Sequence, residues 1–450
     1  MRLVIIALSL ALPTFGQAMG RVDAPPPAAK QTAAGARILA LRNKAEQGDP
    51  EAQYALGMAC RKGEGMARDT AEALIWLHKA ADQGHLNAHY WLGVSYCQGE
   101  GVPQDYEEAA KWFRKPADKG DARAQCWLGT LYEQDKGIPK EYSKAVKWYR
   151  RAAEQGDASA QFHLALAYSQ GRGVPQDFLE AMKWHRKAAD QGHAEAQLSL
   201  GAMCAQGMGI PQNDSEALNW YRRAAEQGNV VGQTNVGLCY FQGTGVTQNF
   251  AEALKWFRLA GEKGYAKAQF WAGLIYEQNR GGVLQDYMES VKWYKKAAEQ
   301  GYEMAQFNLG LNYCQGQGVQ QDMAEGAKWY RKAAMHGNAD AQLALSNIYS
   351  QGQGAAVSSA EAAKWCRQSA EQGNSRAQLA LGIYTMTGDG VPQDLMEAYV
   401  WFNLAAENGE PEAPKFRSEI AKKLLPKLLE QAQARTQKVG EGIQARLSRH

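Results

Sequence analysis

Tryptophan recurs along this chain at an almost constant spacing, and this spacing restricts the possible folds more than any other feature. Ten Trp residues lie 36 residues apart, with a single interval of 37 where an extra residue enters near positions 280–282. They are Trp76, Trp112, Trp148, Trp184, Trp220, Trp256, Trp293, Trp329, Trp365 and Trp401. A fixed period of this length indicates stacked copies of one small unit. The 450 residues therefore predict a repeat array rather than several separate globular domains.

Each repeat contains two helical patterns joined by a glycine-rich turn, as the segment from Asp157 to Gly192 shows. Gly171 suits the left-handed conformation that ends many helices, and Pro175 prevents the first helix from continuing. Asp177 is a favourable N-cap for the second helix, and a Glu three residues later completes a capping-box pattern. The sequence therefore predicts an array of antiparallel helix pairs.

Positions are counted within each repeat from Asp49, His85, Asp121 and the corresponding later residues. Gln, Leu, Gly and Tyr at positions 5, 8, 9 and 12 fall on one helix face, which we expect to be buried. Gly inside a helix costs about 1 kcal/mol of propensity. The Gly at position 9 therefore predicts a close crossing with another helix.

Position 7 of the first helix differs among repeats and holds the three remaining Trp residues. It lies opposite the predicted buried face, and first helices line the concave side of a helix-pair solenoid. The candidate groove residues at this position are Trp91, Trp127, His163, Asn235, Trp271 and Asn308. Trp91 and Trp127 of adjacent repeats form the predicted aromatic anchor. The alternative is that these Trp side chains pack between neighbouring first helices.

The N-terminal segment has the features of a secretory signal peptide at residues 1–20. Arg2 precedes a ten-residue apolar run from Leu3 to Leu12, and Ala18 offers a cleavage site. This run is too short to span a bilayer comfortably, and no other apolar run approaches that length. We expect export to the periplasm or to the outside, with no integral membrane segment; a membrane-anchoring helix is the alternative.

The rest of the chain divides by composition and period. We predict a Pro- and Ala-rich linker at residues 21–35, an N-terminal capping helix at 36–48 and ten repeats at 49–409. C-terminal capping helices at 410–438 and a frayed basic tail at 439–450 follow. Pro116 lies inside a predicted second helix, where we expect a local bend.

Charge and motifs exclude several classes of function. Lys and Arg number 50 against 47 Asp and Glu, and this near balance argues against nucleic acid as a partner. The seven Cys residues form no CxxC pair, which favours buried thiols. His85 and His89 stand one helical turn apart, but a third metal ligand is missing. The sequence has no GxSxG, SxxK or phosphate-loop motif, so we expect no catalytic residue, metal or cofactor.

Three motifs carry a resemblance to a known family. They are A-Q-x-x-L-G-x-x-Y from Ala124 to Tyr132, G-x-G-V-P-Q-D from Gly99 to Asp105, and E-A-x-K-W-x-R-K-A-A from Glu180 to Ala189. These motifs resemble the Sel-1-like repeat (SLR) family, a branch of the tetratricopeptide superfamily. The resemblance covers about 80% of the chain by the repeat count.

The resemblance implies a right-handed superhelix and a role as an adaptor or binding scaffold. Exported bacterial members are linked to signalling, envelope processes or host interaction. Cysteine-rich relatives are associated with β-lactam binding or hydrolysis, so a β-lactamase or penicillin-binding type of hydrolase is the alternative function. This chain lacks the regular Cys pairs of that branch and any SxxK motif.

The expected fold is all-α, a right-handed α-solenoid superhelix of about ten 36-residue antiparallel helix pairs with terminal capping helices. The expected function is that of a monomeric, non-enzymatic scaffold, periplasmic or secreted, which binds a protein or peptide in its concave groove.

Overall fold

The computed structural model describes residues 28–134, 138–279 and 281–448, and these residues form 23 α-helices and no strand. The helices are α1 (Ala28–Glu46), α2 (Pro50–Lys62), α3 (Thr70–Asp82), α4 (Leu86–Gln98), α5 (Tyr106–Asp118), α6 (Ala122–Gln134), α7 (Tyr142–Glu154), α8 (Ala158–Gln170), α9 (Phe178–Asp190), α10 (Ala194–Gln206), α11 (Asp214–Glu226), α12 (Val230–Gln242), α13 (Phe250–Glu262), α14 (Ala266–Glu277), α15 (Tyr287–Glu299), α16 (Glu303–Gln315), α17 (Met323–Met335), α18 (Ala339–Gln351), α19 (Ser359–Ala370), α20 (Ser375–Thr387), α21 (Leu395–Glu407), α22 (Ala413–Ala421) and α23 (Pro426–Leu447). The predicted signal peptide lies outside the described residues.

The chain divides into two compact halves, Met1–Gln227 and Gly228–His450. Within each half, a second helix packs against the first helix of its own repeat and against the first helix of the next one, as α7 packs against α6 and α8. Such nearest-neighbour stacking of helix pairs defines an α-solenoid. The predicted all-α solenoid is therefore confirmed, while its right-handed sense stays a prediction.

The Gly at position 9 crosses a large side chain at position 29 of the same repeat. A Cβ added to Gly129 in α6 would lie 2.6 Å from ring carbons of Tyr149 in α7, and a Cβ on Gly93 would lie 2.7 Å from Phe113. Neither ring could keep its place, because real Cβ contacts are not this short. The close crossing that the Gly residues predict is present.

The fourth repeat departs from this pairing, with Ala165 at position 9 and His185 at position 29. Both residues are buried, at 0% and 1% exposure. In this repeat the first helix has Ala in place of the usual Gly, and the second helix has the smaller His ring in place of Phe or Tyr. Nδ1 of His185 has no hydrogen-bond partner among the described residues, which is a costly arrangement for a buried nitrogen.

Buried Gln side chains at position 5 connect successive repeats. Nε2 of Gln161 donates to the carbonyl of Ala153 at 3.1 Å, in the last turn of α7 of the preceding repeat. Its Oε1 accepts from Nε2 of Gln191 at the end of α9, at 2.8 Å. The Ala153 carbonyl also accepts from the N–H of Gly156 at 3.1 Å, so Gln161 supplies its second donor. The residues that donate in this way are Gln53, Gln125, Gln161, Gln197, Gln269, Gln306, Gln342 and Gln378.

Most second helices have a side-chain bond at the N-cap, with α7 as an exception, but in the fourth repeat the capping box is only half formed. The Asp177 carboxylate accepts from the backbone N–H groups of Leu179 and Glu180 at 2.9 and 3.0 Å. The Asp177 N–H donates to the carbonyl of Tyr168 at 2.9 Å. Since that donor is already used, the Glu180 carboxylate turns outward and pairs with Lys183 at 2.6 Å.

Two segments differ from the sequence expectations, and a third prediction stays open. Helix α1 begins at Ala28, inside the predicted linker. Helix α5 continues through the buried Pro116, where the local bend stays a prediction. Helix α23 extends to Leu447, through most of the segment expected to be a frayed tail, because Ile443 is buried against the last repeat at 4% exposure.

Candidate functional site

The aromatic side chains at position 7 lie against the second helix of the preceding repeat. The Trp127 ring in α6 stacks on Phe113 in α5, with centroids 5.6 Å apart and an interplanar angle of 6°. Trp271 in α14 lies over Phe257 in α13, at 6.0 Å and 17°. Both pairs join position 7 to position 29 of the repeat before. These rings therefore contribute to the packing between repeats.

His163 occupies the same place in the fourth repeat, stacked on Tyr149 with centroids 4.9 Å apart. Its Nδ1 lies 3.6 Å from the Glu133 carboxylate, which also accepts from the Tyr149 hydroxyl at 2.8 Å. Burial lowers the pKa of His163 below its ordinary value, and Glu133 offsets only part of this effect. His163 is therefore mostly uncharged at neutral pH.

The two asparagines at position 7 lie in the C-terminal half. Asn235 is buried, with 9% exposure. Asn308 is half-buried and hydrogen-bonds to the side chain of Tyr294, the large residue of the preceding repeat. The Tyr294 hydroxyl also donates to Glu277 at 2.7 Å. Asn308 thus replaces the stacked ring of other repeats with a hydrogen bond.

The expectation that position 7 faces away from the buried side is wrong. Trp271 is 8% exposed, while Trp91 and Trp127 are half-buried. The reason is that a first helix packs against two second helices, its own and that of the repeat before, as α6 packs against α7 and α5. Two faces of each first helix are thereby covered. Packing between neighbouring first helices was the alternative interpretation, and such contacts are present beside those with second helices. Trp271 meets Phe241 of α12 at 5.0 Å, and Arg61 of α2 lies over Trp91.

In the N-terminal half, two arginine side chains lie over the neighbouring rings of Trp91 and Tyr90. The Arg61 guanidinium is 4.4 Å from the centroid of the Trp91 ring, and a 2.6 Å ion pair to Glu100 holds it. The Arg123 guanidinium is 4.4 Å from the centroid of the Tyr90 ring, which meets Trp91 edge to face at 5.3 Å. Cations over aromatic faces are stabilising and well ordered.

These residues and Trp127 form what we call the aromatic cluster: Arg61, Tyr90, Trp91, Arg123 and Trp127. Tyr90 and Trp127 also share a side-chain hydrogen bond, which joins α4 to α6. Sequence reasoning found the two Trp residues and missed the two Arg residues. The signal was present, since Arg61 and Arg123 are cations on first helices of the repeats on either side of Trp91.

The paired histidines serve the fold. Nδ1 of His85 accepts from the N–H of Ala88 at 3.2 Å and so caps α4, and its Nε2 lies 2.9 Å from Glu51. His89 is buried, with its Nδ1 3.1 Å from the His85 carbonyl. Among the residues that the structure describes, no group of three His, Cys, Asp or Glu side chains could hold a metal ion.

The cysteines are mostly buried thiols. Six of the seven are buried, and Cys314 is partly so. Burial is the main cause that raises the pKa of Cys60 to about 11 and that of Cys97 to about 12. Thiols with such values carry little thiolate at neutral pH, so they are poor nucleophiles.

Within the described ranges, no helix is both long and apolar enough to span a membrane.

Comparison with family models matches ten copies of the Sel1 repeat, at residues 50–85, 86–121, 122–157, 158–193, 194–229, 230–265, 266–302, 303–338, 339–374 and 375–410. Among solved structures, a protective antigen present in uropathogenic Escherichia coli strains, which displays an SLR fold, is 34% identical with a TM-score of 0.59; the match covers 92% of this chain and 97% of that one. A Sel1 repeat protein from Oxalobacter formigenes is 36% identical with a TM-score of 0.57, over 68% and 90% of the two chains. The comparison with curated proteins gave no match.

Solenoids of Sel1 repeats are typical of protein–protein interaction scaffolds and are generally not enzymes. The ten matched copies account for most of the sequence and coincide with the ten helix pairs of the structure. The chain therefore belongs to the Sel1 repeat family.

Proposed function

We propose that this protein is an exported scaffold that binds a segment of a partner protein at the aromatic cluster. The observation that supports this most directly is the pair of half-buried Trp side chains, Trp91 and Trp127, on consecutive first helices beside Arg61 and Arg123. Trp, Tyr and Arg are the residues most enriched at binding hot spots. A site of this composition is suited to binding a peptide rather than to catalysing a chemical reaction.

The contacts within the cluster favour an extended peptide that carries apolar and acidic side chains. Arg123 reaches Asn87 at 2.9 Å and Asp121 at 2.7 Å, so its guanidinium is already positioned. Burial would raise the pKa of Asp121, but hydrogen bonds, chiefly from Arg123, hold it below its ordinary value. A positioned cation loses little conformational entropy when a ligand carboxylate binds. The half-exposed rings would accept the ligand's apolar side chain.

Selection of peptides from a displayed library on the full-length protein would test this proposal. A double variant, Trp91→Ala with Trp127→Ala, should weaken binding of the selected peptide at least about tenfold, as expected for hot-spot truncation. Leu179→Ala is the matched control, because Leu179 is an exposed apolar residue on a second helix at 55% exposure. Circular dichroism would confirm that both variants keep their helices. Unchanged affinity in the folded double variant would refute the assignment.

The export part of the proposal rests on residues 1–20. It gains support from the similar structure of a protective antigen, a property that fits a protein located outside the cytoplasm. Fusion of residues 1–30 to alkaline phosphatase, which is active only after export, would test it in a bacterial host. The control fusion carries Leu8→Arg and Leu10→Arg, which interrupt the apolar run with two charges and should leave the phosphatase inactive. An inactive wild-type fusion would exclude export by this segment.

A further inference from the structure

A cavity with a strongly basic lining lies in the C-terminal half, where α23 packs onto the last repeat. Its volume is about 530 Å³, and it is bounded by α19, α21 and α23. Four cationic side chains line it, Arg367, Arg435, Lys438 and Arg446. Small-molecule sites have volumes of roughly 300–1,000 Å³, so this cavity is large enough for a small ligand.

Two carboxylates in the lining are already paired with arginines. The Glu397 carboxylate lies 2.7 Å from Arg367 and 3.6 Å from Arg435, and Glu371 lies 3.6 Å from Arg446. Burial alone would raise the pKa of Glu397, but hydrogen bonds from Arg367 and Trp401 hold it below its ordinary value. The 2.7 Å ion pair positions the Arg367 guanidinium. The lining contains four cationic side chains and two carboxylates, so its net charge is positive.

Lys438 differs from the three arginines of the lining. Its side chain is exposed and forms no hydrogen bond or ion pair with any described residue. An ammonium group of this kind interacts with an anion as a point charge, while the three arginines present planar forks. The two types of donor together fit an anion with more than one charge.

Gly442 provides an independent observation, because it faces the cavity without a packing reason to be Gly. A Cβ on Gly442 would meet nothing within 4 Å, whereas a Cβ on nearby Gly440 would lie 3.3 Å from Leu404. Gly inside a helix costs about 1 kcal/mol relative to Ala. The absence of a side chain at Gly442 keeps this part of the cavity open.

The cavity on the other side of α23 has a different charge. Its volume is about 310 Å³, and its lining contains Glu407 and Glu441 but no Lys or Arg. Each of the two linings contains two Glu residues, so they differ in their cations. All four Lys and Arg residues lie in the lining of the basic cavity.

We propose that the cavity lined by Arg367, Arg435, Lys438 and Arg446 binds a small multivalent anion that carries phosphoryl or carboxylate groups. The arginine forks would donate N–H groups to the oxygens of the ligand, and the Lys438 ammonium would pair with it. Because the ligand touches both α23 and Arg367 on α19 of the ninth repeat, its binding would hold this capping helix in place. The proposal does not depend on the aromatic cluster, whose residues belong to the N-terminal half.

Isothermal titration of the full-length protein with pyrophosphate and with citrate would test the proposal and distinguish the two kinds of anion. Binding should weaken about tenfold in Lys438→Ala, which removes a charge without breaking a contact in the protein. Gly442→Glu, which places a carboxylate in the cavity, should abolish it. The controls are Lys427→Ala, an exposed lysine elsewhere on the same helix, and Gly442→Ala, which adds only a methyl group. Both controls should bind like the wild type.

The outcomes are distinct. Binding of either anion that is lost in Gly442→Glu and retained in Gly442→Ala supports an enclosed site, and the preferred probe identifies the ligand group. Absence of binding of both probes at millimolar concentration overturns the proposal. Equal binding in the wild type, Lys438→Ala and Gly442→Glu also overturns it, because such binding would be non-specific attraction to the surface. Hydrogen exchange of α23 gives a second readout, and bound anion should slow it.

Discussion

Replacing the buried pair Ala165 and His185 with Gly and Phe should remove much of the acid sensitivity of the fourth repeat. The exchange copies pairs that the chain already uses, Gly93 with Phe113 in the second repeat and Gly237 with Phe257 in the sixth. His185→Phe alone should instead destabilise the protein by about 1–3 kcal/mol through overpacking, because the Ala165 methyl group occupies the space that the larger ring needs.

The magnitude follows from the environment of His185. Burial, and to a smaller extent the nearby His193, lowers its pKa from 6.5 to about 3. The unfolded chain therefore takes up a proton as the pH falls through 6.5, while the folded chain remains neutral there until about pH 3. Stability is complete above pH 6.5 and decreases as the pH falls between these two values. At pH 5 the loss from this one residue is about 2 kcal/mol.

Hydrogen exchange of the amides in α8 and α9 is the suitable assay, since it reports local opening free energies in a protein whose halves need not unfold together. The wild type and the Ala165→Gly/His185→Phe variant would be compared at pH 7.5 and pH 5, corrected for intrinsic exchange rates. The pH-dependent loss should be smaller by about 2 kcal/mol in the variant. Some pH-dependent loss of stability should remain in the variant, because burial also lowers the pKa of His163 and His193.

Two results would refute this reasoning. One is an equal pH-dependent loss in the wild type and the double variant. The other is a His185→Phe single variant as stable as the double variant, since the Ala165 methyl group would then not restrict the ring. Amides in α18 and α19 serve as an internal control and should be unaffected, because they belong to the other half of the chain.

Three further predictions concern single residues and can be checked by urea unfolding. Gly173→Ala should destabilise by at least about 2 kcal/mol, because Gly173 has a φ of 74° and a Cβ there would lie 2.5 Å from the backbone of Tyr142. Gln161→Leu should cost about 1–2 kcal/mol, because it removes the two side-chain hydrogen bonds that Gln161 makes with the Ala153 carbonyl and the Gln191 amide. Glu141→Asp should stabilise by about 0.5–1 kcal/mol, because Glu141 is an N-cap without a side-chain cap bond. A change of opposite sign in any of the three would contradict the corresponding structural explanation.

Much of the fold could be predicted because its signals are local and recur in every repeat. The Gly and Pro residues of the turns, the N-cap residues and the Gly at position 9 each act through their own backbone or a neighbouring helix. Repetition turns a weak signal at Gly129 into a strong one, since the same residue recurs in most copies. The all-α solenoid therefore followed from the sequence alone.

The candidate site was harder to predict because it depends on contacts between repeats. Helical periodicity describes one buried face per helix, whereas the first helices here are covered on two faces. Trp127 consequently stacks on Phe113 of the preceding repeat instead of standing free. The sequence also could not single out Arg61 and Arg123 among the other cations as site residues. Their positions over the rings of Trp91 and Tyr90 depend on the spacing between repeats.

The size match between positions 9 and 29 has a consequence for how such an array can change in length. Gly93 and Phe113, or Ala165 and His185, lie within one repeat, so each pair is inherited together when a whole repeat is duplicated or deleted. Unequal recombination with breakpoints near the terminal Gly, such as Gly120 or Gly156, would keep every pair intact. A breakpoint between the paired positions could join Ala165 to a large ring and produce a misfit core. Arrays of this kind should therefore gain and lose repeats mainly at their junctions.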